Sequence, residues 1–346
     1  MTMRRTGFML AASLLALSAC GGDSSGSGSN TPPPTATPTP SPAPAPAPAP
    51  APTPAPTPTP GTSPQTAAEL YDTAPDVAAC NAGSLKPSVI QGVLDTFNEI
   101  RALHGLGPVA LSPADSQGAQ EAALMMVANN ALSHSPPTSW DCYTQAGRDA
   151  AAAGNLAASS GGFFTNERVL TGWIDDVNNV VADNVGHRRW MLDPFLTTTA
   201  YGRVTTGSGS SFRSAAALKV FNLAQTGPTP TNLPDFVAYP FGNYPDRYFD
   251  DRALFSFSVI ANKQSKFGAN AQVDFSNARI TMTDVAAGTG VAISGVSFDN
   301  QGFGLPNNLQ FKPASVQNGR QYRIDISNVI ANGSAQSYSY TFTIVP

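Results

Sequence analysis

Charge is scarce in this chain. Of 346 residues, 19 are Lys or Arg and 23 are Asp or Glu, 12% together, for a formal net charge of −4. No Lys/Arg run follows the first few residues, which excludes the basic patch of a nucleic-acid-binding surface. The apolar run from Phe8 to Leu17 is too short to span a bilayer. Beyond the Gly/Ser-rich residues 21–30 there is no Gly-x-Ser-x-Gly elbow, so a serine hydrolase of that type is not expected. The glycine-rich Gly207-Ser208-Gly209-Ser210-Ser211 is followed by no lysine and reads as a flexible hairpin rather than a phosphate loop. Cysteine and histidine are limited to three residues each.

The N-terminus has a basic start (Arg4, Arg5) and then the short apolar run, the pattern of a secretory signal. Leu17-Ser18-Ala19-Cys20 resembles a bacterial lipobox, in which the cysteine is lipidated and becomes the new N-terminus. Residues 1–20 are therefore expected to be a lipoprotein signal peptide and Cys20 the lipidation site, the alternative being an ordinary signal peptide with an incidental cysteine. Residues 21–64 continue as a Gly/Ser stretch and then alternate Pro with Ala or Thr. Such a spacer is disordered or extended, because Pro at every second position removes backbone donors. About 30 of these residues at about 3.1 Å each reach on the order of 90 Å. The expectation is a membrane contact through a lipid anchor, with the folded part held outside the cytoplasm, at the cell surface, in the periplasm or on an outer membrane. In that oxidising setting Cys80 and Cys142 suffice for one disulfide, two unpaired buried thiols being the alternative.

The folded part divides by periodicity. Residues 65–235 read as mixed helix and strand. Val89, Ile90, Val93, Leu94, Phe97 and Ile100 have helical spacing between Pro87 and Gly105. Ser112-Pro113-Ala114-Asp115 reads as a capping box with Pro at the first helical position, followed by the small apolar face Ala119, Ala122, Ala123, Met126 and Val127. A third helix is expected from Thr165-Asn166-Glu167, carrying Val169, Leu170, Trp173, Ile174 and Val177. Trp173 and Trp190 read as core. Asn232 to Tyr248, rich in Pro, Gly and Asn, reads as a connector. From 236 to 346 the period becomes two, in Phe255-Phe257-Val259, Tyr322-Ile324-Ile326 and Tyr338-Tyr340-Phe342-Ile344, as expected of a small antiparallel β-sandwich. The fold class expected is α+β.

Three histidines are the residues most suited to chemistry. His104 stands in the last turn of the first helix, where a cation complements the helix dipole, and reads as structural. His134 follows the second helix, and His187 opens Gly186-His187-Arg188-Arg189-Trp190. Spacing alone does not bring these two together. Arg188 and Arg189 read either as contacts for an anionic ligand or as a pair buttressing the site.

Several segments, taken in order, resemble the CAP superfamily (cysteine-rich secretory, antigen 5 and pathogenesis-related proteins; also called SCP domains). They are Asn98-Glu99-Ile100-Arg101 with His104-Gly105-Leu106, Ala119-Gln120, Leu132-Ser133-His134-Ser135, Ala153-Gly154-Asn155-Leu156-Ala157, Trp173-Ile174-Asp175-Asp176, Gly186-His187-Arg188-Arg189 and Tyr201-Gly202-Arg203. The resemblance implies an α-β-α sandwich whose cleft holds two histidines and two acids and can take a divalent metal. On this sequence it makes His134 and His187 the histidines and Asp176 one acid, with Asn155 positioning nearby backbone. The other acid is missing, since Gly154 stands where the family has Glu. Trp140-Asp141-Cys142-Tyr143-Thr144 resembles a bacterial subgroup and implies pairing of Cys142 with a cysteine ahead of the first helix, consistent with Cys80. Segments of the C-terminal part, including Asp274-Phe275-Ser276-Asn277-Ala278, resemble a β-domain appended to some bacterial CAP proteins.

The expectation is a binding protein for a lipid, glycan or other envelope or extracellular ligand. Its cleft comprises His134, Asn155, Asp176 and His187, with a divalent metal such as Zn held by His134, His187 and Asp176. A weak metal-dependent hydrolase is the competing reading. It needs a proton acceptor beyond the ligands, for which Asp175 or Asp183 are the candidates. A purely structural or adhesive module is the third.

Overall fold

The computed structural model describes residues 66–179, 184–221 and 230–346. Cys20, the linker and Asp183 lie outside these residues. The N-terminal part runs β1 (Tyr71–Thr73), β2 (Ser84–Leu85), α1 (Pro87–Leu103), β3 (Ala110–Leu111), α2 (Pro113–Asn129), α3 (Gln145–Ala152), β4 (Gly154–Ser160), α4 (Asn166–Asp175), α5 (Gly186–Met191), β5 (Thr198–Thr199), β6 (Tyr201–Thr206) and β7 (Arg213–Lys219). Next come β8 (Phe236–Tyr239), β9 (Gly242–Pro245), β10 (Phe255–Val259), β11 (Arg279–Asp284), β12 (Thr289–Val291), β13 (Ile293–Asp299), β14 (Asn308–Pro313), β15 (Gln321–Ala331) and β16 (Ser334–Val345).

The helices end where local chemistry dictates. Pro87 occupies the first turn of α1, where its missing N–H costs nothing. At the other end Gly105 takes φ +69°, so that its N–H reaches Ala102 O and the Leu106 N–H reaches Arg101 O. This pair of bonds closes the helix on a residue free to be left-handed. Thr165 caps α4 by accepting from the Arg168 N–H at 3.2 Å. Ser112 behaves differently from the expected capping box. Its hydroxyl donates to Asp115 and makes no cap bond to the backbone, and Asp115 is drawn outward by Lys219.

A three-stranded antiparallel sheet in the order β4-β7-β6 is covered on both faces. On β7, Ala215 and Ala217 join Ala122, Ala123, Leu124 and Val127 of α2 in one core. The intervening Ala216 and Leu218 join a second core with Phe97 of α1 and Leu170, Trp173 and Ile174 of α4. Five consecutive residues of β7 are buried for this reason, and alternation disappears from the strand. The α-β-α sandwich follows from that double coverage. Contact between α2 and β6 is so close that a Cβ on Gly202 would lie 2.2 Å from Ala119 C. Gln120 completes the contact, donating to the Ala82 and Arg203 carbonyls while accepting the Arg203 N–H. The disulfide Cys80–Cys142 forms, with Cα atoms 5.1 Å apart, and ties the segment ahead of β2 to the loop ahead of α3.

The C-terminal part has a four-stranded sheet, β13-β14-β10-β8, and a five-stranded sheet, β12-β11-β15-β16-β9. Two features differ from expectation. The connector from Asn232 to Tyr248 contains β8 and β9, both edge strands, where proline is tolerated and pairing with distant residues overrides turn-like composition. Strand β9 also runs parallel to β16, so the sandwich is not wholly antiparallel. All five residues of β10 are buried, including Ser256 and Ser258. The polar face of β10 is therefore not open to water. Ser256 Oγ accepts from Arg188 of α5.

That contact belongs to a polar-aromatic joint between the two parts. His104 is 2% exposed, donates Nδ1–H to Ala238 O at 2.7 Å, and receives the Tyr244 hydroxyl at 3.4 Å on Nε2. Burial pushes its pKa down to about 3. His104 is thus neutral, and the helix-dipole cation expected there is replaced by a buried hydrogen-bonding ring. Glu99 receives the Tyr248 hydroxyl and pairs with Arg247. Among the described residues no helix is long and apolar enough to cross a membrane.

Candidate functional site

The geometry around His187 starts at the end of α4. Asp176 takes the left-handed conformation, φ 55°, as the residue that stops the helix. Its carboxylate, fully buried, faces the start of α5. One oxygen, Oδ2, accepts the His187 backbone N–H at 3.0 Å, and Oδ1 accepts the His187 ring Nδ1–H at 2.8 Å. Val185, at the cap position of α5, supplies no side-chain bond, so Asp176 caps this helix from a distance in sequence. From the sheet, Asn155, 1% exposed, donates its amide to the His187 carbonyl at 2.9 Å. The imidazole itself keeps 20% of its side-chain surface open.

His134 is held more simply. It sits in the loop after α2, and its Nδ1–H donates to Ala151 O at 3.0 Å. Ala151 lies in the last turn of α3, where carbonyls have no intrahelical partner. The base of this loop is closed by a reciprocal pair, Asn129 Nδ2 to Asp141 O and the Asp141 N–H to Asn129 Oδ1, both 3.0 Å, next to Cys142 of the disulfide. Both histidines are therefore tied to the α3–β4 junction, His134 through Ala151 and His187 through Asn155.

These bonds decide which atoms remain for a ligand. A carbonyl and a carboxylate can only accept, so both rings carry their proton on Nδ1, and the Nε2 lone pair is the acceptor left on each when neutral. Metal-binding histidines are arranged in this way, with the far nitrogen bonded to a carboxylate or carbonyl that fixes ring and tautomer. The two imidazoles thus fit a divalent ion in donor type. Asp176 fits as the group that orients His187. Its oxygens are committed to α5, and none of its side-chain surface is open. Among the described residues no group of three or more His, Cys, Asp or Glu is arranged to hold a metal ion.

The missing acid has a steric side as well. A Cβ on Gly154 would meet Ala150 O at 3.0 Å and Leu218 O at 3.1 Å, so a larger residue there requires the junction to give way. Asp175 does not replace it. Its carboxyl is buried, receives the Val177 N–H at 3.3 Å and faces Arg168, and burial raises its pKa. A cavity of about 580 Å³, lined by Cys80, Leu85, Ile90, Gln120, Glu121 and Thr144 among others, contains none of His134, Asn155, Asp176 and His187.

Sequence reasoning did not anticipate how much buried guanidinium surrounds α5. Arg101, 1% exposed, donates to Met191 O at 2.8 Å and Asp193 O at 2.9 Å, fixing the turn that follows α5. Burial lowers its pKa to about 10, where it remains charged at neutral pH. The one available signal was the density of arginines near the histidine motif. No curated protein matches the chain. The family model described as the cysteine-rich secretory protein family, CAP, matches residues 94–221, from within α1 to just past β7, and this match supports the CAP superfamily for the part of the chain that carries His134, Asn155, Asp176 and His187.

Proposed function

We propose that this chain is an extracytoplasmic binding protein whose ligand contacts are the Nε2 atoms of His134 and His187. The observation that carries this reading is the pairing of His187 with the buried carboxylate of Asp176, which fixes a partly open imidazole in one tautomer. A ring whose task is only to fill space has no need of a buried carboxylate behind it. The residues that would hold a divalent metal such as zinc are His134 and His187, with Asp176 behind the second. When bound, such an ion supplies Lewis acidity toward an oxygen-bearing ligand. Asp176 keeps the His187 proton on Nδ1, and Asn155 holds the same residue through its backbone. The natural ligand is proposed to be a lipid, glycan or other envelope component.

Binding is favoured over hydrolysis because Gly154 brings no carboxylate and the buried carboxyl of Asp175 is engaged by the Val177 N–H and Arg168. The proposed location accords with the disulfide, which suits an oxidising compartment, and with the secretory habit of CAP proteins. Lipid attachment at Cys20 and a Pro-rich spacer would hold the folded part away from the membrane.

Calorimetric titration of Zn²⁺ into the wild-type chain, beside a His134→Ala/His187→Ala double variant, tests the reading. One-to-one binding that disappears in the double variant supports the cleft. Binding that is equal in both proteins sinks it. If neither protein binds, the metal is removed from the proposal, and lipid and glycan probes are compared on the same two proteins.

A further inference from the structure

The segment that carries His187 is built into the β-sandwich by the two residues that follow it. Arg188 is completely buried and spans both parts of the molecule. Its Nε and Nη2 donate to Ile174 O at 2.6 Å and Asp175 O at 2.7 Å, at the end of α4. Its Nη1 donates to Leu254 O at 2.6 Å and Ser256 Oγ at 3.2 Å, beside and on β10. The guanidinium also lies over the Tyr239 ring of β8, 3.6 Å from its centroid. Arg189 points another way, its Nη1 reaching both Asp299 oxygens at 3.0 and 2.9 Å at the end of β13. Its backbone is clasped too, since a Cβ on Gly304 would lie 2.0 Å from Arg189 O. One turn later Asp193 pairs with Lys266 at 2.6 Å, both side chains nearly buried.

Helix α5 has only six residues, too few to be stable by its own hydrogen bonds. Its position is set by what it packs against. That is α4, whose Asp176 caps the helix and receives the His187 ring, and, through Arg188, Arg189 and Asp193, the β-sandwich. We infer that the C-terminal β-sandwich positions His187: Arg188 and Arg189 are positioning residues, and the cleft is a property of both parts together. This inference rests on the binding reading above, but its geometry is independent of any metal. Because Arg188 also donates to Ile174 O and Asp175 O, it fixes the backbone immediately before Asp176. The ring and the carboxylate that orients it are thus registered by a single guanidinium. Loosening the sandwich contact should release the His187–Asp176 bond while leaving His134 unaffected.

Imidazole NMR of the full chain reads this directly, because only three histidines contribute signals. Arg188 substitutions risk the fold, so Arg189→Gln and Asp299→Asn are the test variants. The charge exchange Arg189→Asp/Asp299→Arg serves as rescue, and Arg320→Gln, which cuts the Arg320–Asp284 pair elsewhere in the sandwich, controls for general destabilisation. The expected result is loss of the slowly exchanging His187 Nδ1–H signal in both single variants. It should return in the exchange variant and persist in Arg320→Gln, with His134 unchanged throughout. His187 signals that superimpose on wild type in both single variants overturn the inference. Zinc titration of the same proteins keeps the two ideas apart. Where wild type binds, the single variants should bind roughly 10-fold more weakly. If wild type takes up no zinc but the His187 signal is lost in both single variants, the metal falls and the positioning role stands.

Discussion

His134 and His187 are held by different means. His134 lies on a loop pinned entirely within the N-terminal part, by an α3 carbonyl, the Asn129–Asp141 pair and the nearby disulfide. His187 lies on a short helix fixed from both parts of the molecule, by Asp176 and Asn155 on one side and by Asp299 of the β-sandwich on the other. Each arrangement leaves the same nitrogen free. The same tautomer is thus held by a route confined to the N-terminal part and by one that also draws on the distant β-sandwich, and the two should fail differently when perturbed.

The largest effect is expected from Arg188→Met. Three backbone carbonyls, of Ile174, Asp175 and Leu254, lose their donor in the interior. The expected cost is on the order of 3–5 kcal/mol, seen as a lower denaturation midpoint together with loss of the His187 Nδ1–H signal. Removing the disulfide with Cys80→Ser/Cys142→Ser acts on the other side. The bridge closes a sequence separation of 62, and its loss should cost about 2–4 kcal/mol. The His187 signal should survive that change. If it were lost, the two routes would not be separable and the comparison would fail.

The joint behind His187 can also be probed by pH. His104 has a folded pKa of about 3 against 6.5 for the free side chain, chiefly through burial. Below pH 6.5 the unfolded chain takes up a proton that the folded one refuses. Stability present above that pH is therefore lost as pH falls toward 3, at up to about 1.4 kcal/mol per pH unit. His104→Phe should flatten this part of the stability profile, measured by denaturant titration from pH 7 to 4. An unchanged slope would mean that another group carries the dependence.

How much of this was legible in the sequence follows the same division between local and distant. Helices α1, α2 and α4 could be read because their apolar residues recur at helical spacing between Pro, Gly and Thr signals that act on adjacent residues. Strands β15 and β16 could be read from alternation, because one face of each is exposed. Strands β8 and β9 could not, since their partners β10 and β16 lie well downstream and proline disguises edge strands as loops. Ser112 looked like a cap, but Lys219, more than 100 residues later, takes its acidic neighbour. In the site, residue identities came from motif order. The role of Asp176 as a buried orienting group depended on its left-handed backbone, which no spacing reveals. The guanidinium clamp on α5 was open between two readings until its partners in the β-sandwich were located.

Asp176→Asn sharpens the comparison on the His187 side. An amide can still accept a hydrogen bond through its oxygen, but its NH₂ can also donate one, so it no longer compels the ring to keep hydrogen on Nδ1. Zinc affinity should fall by roughly 10- to 100-fold with little change in fold, the range seen when groups behind metal-binding histidines are altered. Equal affinity in wild type and variant would reduce the carboxylate to a helix cap.

The smallest effect on stability should come from His134→Ala. The residue is exposed, and its hydrogen bond is to the carbonyl of Ala151 at the end of α3. Its loss should cost about 1 kcal/mol. If the proposed two-imidazole site binds zinc, the effect on zinc binding is expected to be as large as that of His187→Ala, because the site loses half its ligands either way. The contrast between a near-silent fold change and a full binding change is the sharpest separation of structural from functional roles that the two histidines offer. If His134→Ala leaves zinc binding intact while His187→Ala abolishes it, the cleft has a single functional imidazole, and the loop holding His134 belongs to the scaffold.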